Sequence, residues 1–262
     1  MALIHPTALI DPKAELGANV EVGPYTVIGP DVSIGEGTSV GAHCVLQGPT
    51  RIGRDNKIFQ FCSIGAAPQD KKYAGEPTRL EIGDRNTIRE FCTFNRGTTQ
   101  DDGLTRLGDD NWMMAYVHLA HDCKVGNKTI FANNAQLAGH VHVGDWAILG
   151  GFTVVHQFVH IGAHSMTAMG SILFQDLPPF VMASGNTAEA KGFNLEGLKR
   201  RGFSPAQLNA VKQMYRIIYR RGLTLDQARM EMETLRGSMP DAADTITLVL
   251  DFLATATRGI IR

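Results

Sequence analysis

The sequence predicts a β-solenoid, a parallel β-helix of hexapeptide repeats, followed by an α-helical C-terminal domain. Three observations carry the prediction: an apolar residue recurring every six positions, Gly at a set offset after it, and a change to helical signals beyond residue 183. The apolar mark starts at Ile4 and returns at Ile10, Leu16, Val22, Ile28, Ile34, Val40, Leu46, Ile52, Ile58 and Ile64, then at Ile82, Ile88 and Phe94. It shifts phase by one residue and runs from Leu107 through Leu119, Leu137 and Val155 to Leu173. Gly follows the mark at Gly23, Gly29, Gly35, Gly53, Gly83, Gly126 and Gly162. A fixed short period with Gly at set offsets is the mark of a repeat architecture of this kind.

Each hexapeptide supplies one short strand and one corner. Three close a triangular coil, so residues eighteen apart stack at about 4.8 Å. The marked aliphatics point inward, as do residues four places later such as Ala8, Val20, Thr26, Thr129 and Ala147. These are small or β-branched because two inward residues per side share a narrow prism. Gly and Asn near the corners are expected to take backbone angles that other residues resist. A sandwich of ordinary alternating strands is the competing architecture, and it does not keep a six-residue phase this long.

Two breaks interrupt the beat. Residues 66–79 read AAPQDKKYAGEPTR and residues 98–105 read TTQDDGLT. Both are polar and rich in turn formers, so both are expected as surface loops. Solenoids commonly insert loops on a working face, although neutral insertions are also tolerated. The first loop is the better functional candidate, since it gathers Gln69, Asp70, Lys71, Lys72 and Tyr73.

The repeat ends near Asp176-Leu177-Pro178-Pro179. Ser204-Pro205-Ala206-Gln207 reads as a helix cap, a first-turn Pro and a capping-box Gln, with a stop at Gly222. Thr224-Leu225-Asp226-Gln227 repeats that signal. A third helix is expected after Pro240, with Ile246, Val249, Leu250 and Leu253 on one face. The reading is therefore a solenoid over 1–183 and a helical domain over 184–262, the latter covering the open end of the β-helix.

At 262 residues with a formal net charge of −1, the chain lacks the charge of a general polyanion binder. It has no apolar run near the ~20 residues needed to span a bilayer, and no signal-peptide pattern. A cytoplasmic location is the expectation. Cys44, Cys62, Cys92 and Cys123 all fall at the inward small-residue place, which predicts buried packing thiols. Cys44 and Cys62 should stack, but a reducing compartment opposes their oxidation. No CxxC spacing suggests a structural zinc site.

Histidines cluster in the later coils. His121, Gly139 and Gln157 are eighteen apart and should share one corner, with Asp122 and His140 in the adjacent column. His118 lies just before that corner and His156 beside Gln157. An imidazole titrates near neutrality and can accept an alcohol proton. A neighbouring Asp can fix its tautomer, and a backbone N–H at Gly139 can donate to an oxyanion. That set suits acyl transfer to a hydroxyl. No Ser or Cys nucleophile stands beside it, so direct attack is favoured over a covalent acyl-enzyme. The same histidines also suit an open zinc site of the γ-carbonic-anhydrase kind. A scaffold that only displays loops is the non-enzymatic alternative.

At these residues the chain resembles the UDP-N-acetylglucosamine acyltransferase family of lipid A synthesis, over essentially its whole length. The resemblance rests on Gln69-Asp70-Lys71-Lys72-Tyr73 through Arg79, His118-Leu119-Ala120-His121-Asp122-Cys123, and Asn133-Asn134. It continues through Leu137-Ala138-Gly139-His140-Val141, His156-Gln157-Phe158 and the stretch from Asn194 to Phe203. The hexapeptide alone marks only left-handed parallel β-helix transferases; these segments are more specific. The N-acyltransferase of the same pathway is disfavoured because no extra N-terminal domain precedes the repeats.

The resemblance implies a homotrimer with sites between subunits; no cofactor or metal is expected, since the His121-Asp122 and Gly139-His140 pairing suits a base with an oxyanion donor better. It implies an (R)-3-hydroxyacyl donor on acyl carrier protein and the glucosamine 3-hydroxyl of UDP-N-acetylglucosamine as acceptor. His121 matches the general base, Asp122 its orienting partner and Gly139 the oxyanion donor. Gln69, Asp70, Lys72, His118, His140, His156 and Gln157 match positions around sugar, phosphate and acyl chain. Asn194, Glu196, Arg200 and Arg201 match the nucleotide-binding stretch, and Arg can pair with diphosphate oxygens. Two departures stand out. Asn95 occupies a place where many relatives carry His. Met169 stands where some carry Gly at the floor of the acyl groove, which implies a shorter preferred chain.

Overall fold

The computed structural model describes residues 2–256 and 258–262. Three sheets of 11, 9 and 8 strands run along the solenoid as the faces of a left-handed prism. Most strands are only two residues long. The parallel register pairs Ile4 with Val22, Ile10 with Ile28 and Leu16 with Ile34, one pair on each face, eighteen residues apart as the repeat requires. The marked residues fill the interior from Val22 onward. Their small inward neighbours are hydrogen-bonded there: Thr26 Oγ1 donates to the Gly41 carbonyl at 2.6 Å and Thr38 Oγ1 to that of Gly53 at 2.8 Å. A buried Asn column adds to them, with Asn86 Nδ2 donating to Asn56 Oδ1 at 3.0 Å and Asn111 Nδ2 to Asn86 Oδ1 at 2.9 Å. Partnered polar groups of this kind are what a dry interior tolerates. All four thiols are buried, as the repeat predicts.

The corners correct one expectation. Gly and Asn hold few of the left-handed positions; Tyr25, Phe61, Phe91, Tyr116, Trp146, Phe152 and Phe158 hold many, with φ between 56° and 65°. A bulky residue there is strained, and for each of these but Phe152 a ring stacked along the edge offsets the strain. On the edge between the first and second sheets, Tyr25, His43, Phe61, Phe91 and Tyr116 form one column. Its ring centroids are 4.8–5.2 Å apart and its planes lie within 17°.

Both loops leave the edge between the second and third sheets, called here the third edge. Thirty residues separate the paired Ile52 and Ile82, where eighteen would close a coil, and twenty-five separate Ile82 from Leu107. The second excess is one residue more than a hexapeptide, which produces the phase shift seen in the sequence.

Beyond Leu173, an antiparallel pair, Val181–Ser184 with Glu189–Phe193, extends the first sheet. The expected domain boundary falls within its first strand. Four helices follow: α1 (Leu195–Arg200), α2 (Pro205–Arg220), α3 (Leu225–Ser238) and α4 (Ala243–Thr255), the last entered through a 3-10 turn at Pro240–Ala242. Ser204 with Gln207 and Thr224 with Gln227 form the two capping boxes read from the sequence. Ile246, Val249, Leu250 and Leu253 of α4 are buried in the helical core. The chain then returns to the solenoid: Ile260 bridges Asp176, and the Ile261 N–H donates to the Asp176 carbonyl at 2.9 Å. Ile261 is buried in the solenoid core, Ile260 in the helical one. Among the described residues no helix is long and apolar enough to cross a membrane.

Candidate active site

Stacking of coils places two columns on the third edge. Asp122, His140 and Phe158 take the left-handed turn position in successive coils; His121, Gly139 and Gln157 immediately precede them. His121 Nδ1 donates to Asp122 Oδ2 at 2.9 Å. An ionised carboxylate only accepts, so the proton sits on Nδ1 and Nε2 keeps its lone pair. Asp122 is 0% exposed. Burial works to raise its pKa, but hydrogen bonds from His121 and Thr98 outweigh burial and hold the carboxyl below its ordinary range.

Gly139 lies one coil above His121. A Cβ on Gly139 would stand 2.5 Å from His121 Cε1 and 2.7 Å from Nε2. The glycine is therefore there for space, and it brings the imidazole against a bare stretch of backbone. Among the described residues the Gly139 N–H has no hydrogen-bond partner. His140, only 8% exposed, meets His121 edge-on at 5.1 Å between centroids and stacks on Phe158 at 4.4 Å. Its Nδ1 lies 3.4 Å from Asp101 Oδ2 in the second loop.

Around this centre, His118 Nδ1 is 2.7 Å from Thr93 Oγ1, and burial pushes its pKa down. His156 Nδ1 donates to the Gln157 carbonyl at 3.1 Å. The first loop carries exposed Gln69 and Lys72. Asp70 accepts the Lys72 amide at 2.9 Å and Gln100 Nε2 at 2.9 Å. The Lys72 amide is the leading cause of its lowered pKa, with Gln100 and the nearby His121 adding to it. Arg96 fastens the base of this loop: Nη1 donates to the carbonyls of Gly48 at 2.9 Å and Gly65 at 2.6 Å, and Nη2 to the Tyr73 hydroxyl at 3.3 Å. Asn95 is buried beneath it, its Nδ2 donating to the Ala67 carbonyl at 3.2 Å.

His118, His121, Asp122, Gly139, His140, His156 and Gln157 thus meet on one edge, with Gln69, Asp70 and Lys72 on the loop rising from it. Other expected residues lie elsewhere on the protomer. Asn194 caps α1 by accepting the Gly197 N–H at 3.0 Å, and Glu196 pairs with Lys199 at 2.9 Å. Arg201 Nη1 donates to His164 Nδ1 at 3.1 Å, and its guanidinium lies over Trp146. That group, with exposed Arg200, sits at the edge between the third and first sheets. Met169, 78% exposed, sits at the remaining edge, near the top. Sequence reasoning missed Thr93, Arg96, Thr98 and Gln100. Their roles depend on how the loops return, and no repeat position encodes that.

His121, Asp122 and His140 bring ligand-type atoms within 4.8 Å of one another. The donor set is two imidazoles and a carboxylate already shared by hydrogen bonds, not the three imidazoles that the carbonic anhydrase alternative expects.

Comparison with known proteins agrees. A family model described as UDP N-acetylglucosamine O-acyltransferase, domain 2, matches residues 176–261, and a bacterial transferase hexapeptide model matches residues 13–48. The acyl-[acyl-carrier-protein]–UDP-N-acetylglucosamine O-acyltransferase of Verminephrobacter eiseniae is 62% identical over 218 residues, 83% of each chain. The solved structure of LpxA from Acinetobacter baumannii is 46% identical with a TM-score of 0.95, covering 99% of this chain and 100% of that one. The UDP-N-acetylglucosamine O-acyltransferase of Moraxella catarrhalis is 45% identical with a TM-score of 0.95, covering 99% of each chain. These relatives lend the carbonic anhydrase alternative no support. With this identity along most of its length, the chain belongs to the acyl-[acyl-carrier-protein]–UDP-N-acetylglucosamine O-acyltransferase family.

Proposed function

We propose that this protein transfers an (R)-3-hydroxyacyl chain from acyl carrier protein to the glucosamine 3-hydroxyl of UDP-N-acetylglucosamine, the first step of lipid A synthesis. One observation carries the reading. The His121–Asp122 pair leaves Nε2 free beside the unpartnered N–H of Gly139. His121 Nε2 takes the hydroxyl proton as the sugar oxygen attacks the thioester carbonyl. The oxyanion of the tetrahedral intermediate accepts from the Gly139 N–H. Its collapse breaks the carbon–sulfur bond, and the carrier thiolate takes the proton back from the imidazolium. Asp122 holds the ring and stabilises its charged form.

Lys72, Gln69, Asp70, His118, His140, His156 and Gln157 surround the acceptor and the chain in this reading. Asn194, Glu196, Arg200 and Arg201 take the nucleotide, and Met169 closes the acyl groove. Those three groups occupy three different edges of one prism, so one substrate reaches all of them only if another copy supplies the missing edges. The faces agree with a homotrimer closed around a threefold axis. Exposed apolar side chains lie on the second sheet at Leu9, Val27, Val45 and Val154, and on the first at Leu3, Trp112 and Ile130. The aromatic column lies between those faces. The third sheet turns Arg51, Glu81, Arg106 and Lys124 outward, as suits a face left to solvent. A cytoplasmic location suits the acyl carrier protein as donor.

The test is His121→Ala. The variant should keep its oligomeric state in light scattering and lose about 10²–10⁴-fold in turnover. A rate near that of the parent would remove His121 as the base.

A further inference from the structure

We propose that Thr98 is a positioning residue for acyl transfer: its amide and hydroxyl lock the Asp122 carboxylate so that it aims His121. The inference rests on the general-base reading above and adds a residue that the repeat does not announce. Thr98 opens the second loop, which leaves the third edge beside the catalytic pair. Its N–H donates to Asp122 Oδ1 at 2.8 Å and its hydroxyl to Oδ2 at 2.6 Å. That Oδ2 is the same atom that accepts the His121 Nδ1–H. Thr98 is buried, and Asp122 is fully so. Without these donors, the carboxylate would be a buried ion with one side-chain hydrogen bond, that from His121, and His140 Nε2 3.7 Å away.

The surrounding chain is arranged for this contact. Gly97 lets the loop come close: a Cβ there would stand 2.8 Å from Asp122 Oδ1 and 2.3 Å from the Leu104 nitrogen. Thr105, at the other end of the loop, accepts the Asp122 N–H on Oγ1 at 2.8 Å. Loop residues 98 and 105 therefore grip the aspartate from both sides. Between them, Gln100 reaches Asp70 of the first loop and Asp101 faces His140. The loop is a strap across the site.

The hydroxyl has a definite electrostatic sense. It draws charge from the oxygen that faces His121, so removing it leaves that oxygen more negative and favours the protonated imidazole. The other titratable groups facing the pair are His140 and His118 on the solenoid, Asp101 and Asp102 on the strap, the latter paired with Lys124, and Asp70 on the first loop. A Thr98 variant removes none of them.

The experiment compares Thr98→Val and Thr98→Ser with the parent, as full-length protein assayed with acylated carrier protein and UDP-N-acetylglucosamine. Val keeps the shape and the amide but loses the hydroxyl. Its kcat should fall on the order of tenfold to a hundredfold with little change in KM. The acid limb of its kcat/KM–pH profile should move up by about half a unit. Thr98→Ser should restore both. A Val variant with parental kcat and an unmoved limb overturns the inference. So does one that loses thermal stability and rate together while its limb stays put, since that marks a merely structural contact. His121→Ala, assayed alongside, separates the failures. If it is inactive while Thr98→Val is unaffected, only the positioning role falls. If it stays active, the base assignment falls and takes this inference with it.

Discussion

Replacing Gly139 by Ala tests the site at its tightest point. The glycine φ lies outside the left-handed region, so alanine meets no backbone penalty and the perturbation is purely one of space. The new Cβ would stand 2.5 Å from His121 Cε1, 2.7 Å from Nε2 and 3.1 Å from Nδ1. Ordinary contact begins near 3.5 Å, so the ring has to retreat by about 1 Å. The ring has little room to do so. Nδ1 is tied to Asp122 at 2.9 Å, and the edge of His140 stands 5.1 Å away between centroids. Either the hydrogen bond breaks or Nε2 moves off its target. A misplacement of that size costs about 10²-fold, or about 2.7 kcal/mol of barrier. Steady-state rates with acyl carrier protein donors and UDP-N-acetylglucosamine provide the assay, with melting midpoint and oligomeric state as controls. A kcat within about threefold of the parent would refute the claim that this glycine exists to seat the base.

Two further outcomes are expected. Met169→Gly should shift preference toward longer acyl donors in a competition read by mass spectrometry of the products. Discrimination should be about 1–3 kcal/mol per methylene, and an unchanged preference would remove Met169 from the groove. Burial, with the Arg201 guanidinium beside it, pushes His164 down to about 4. Unfolded His takes its proton near the ordinary ~6.5, so the native state binds fewer protons between those values; stability is full above that range and falls as pH drops from ~6.5 toward 4. Melting midpoints between pH 7.5 and 5 should fall less steeply for His164→Asn than for the parent, and equal slopes would contradict the sign.

The prism was legible because its period is local. Ile28 or Leu137 needs only its neighbours at ±18 to be placed inside. The same arithmetic brought His121, Asp122, Gly139, His140 and Gln157 to one corner. It did not extend to Thr98 and Arg96, which reach Asp122 and Tyr73 across loops of irregular length. It also misjudged the corners. Phe61 or Phe91 looks unsuited to a left-handed turn when taken singly, and only the ring above and the ring below make the position habitable. The antiparallel pair at Val181–Phe193 and the short helix α1 lacked a strong local signal of either kind.

The helical region is fastened to the top of the solenoid at both of its ends, through Val181–Phe193 on one side and Gly259–Ile261 on the other. A two-point attachment of this sort cannot swing about a single hinge. Opening the uppermost rungs and lifting the helices are therefore one event, and slow amide exchange in the last coils should track helix undocking and not local fraying. The part of the protein that carries Arg200 and Arg201 is held as a fixed jaw, with its angle set by the stack beneath it.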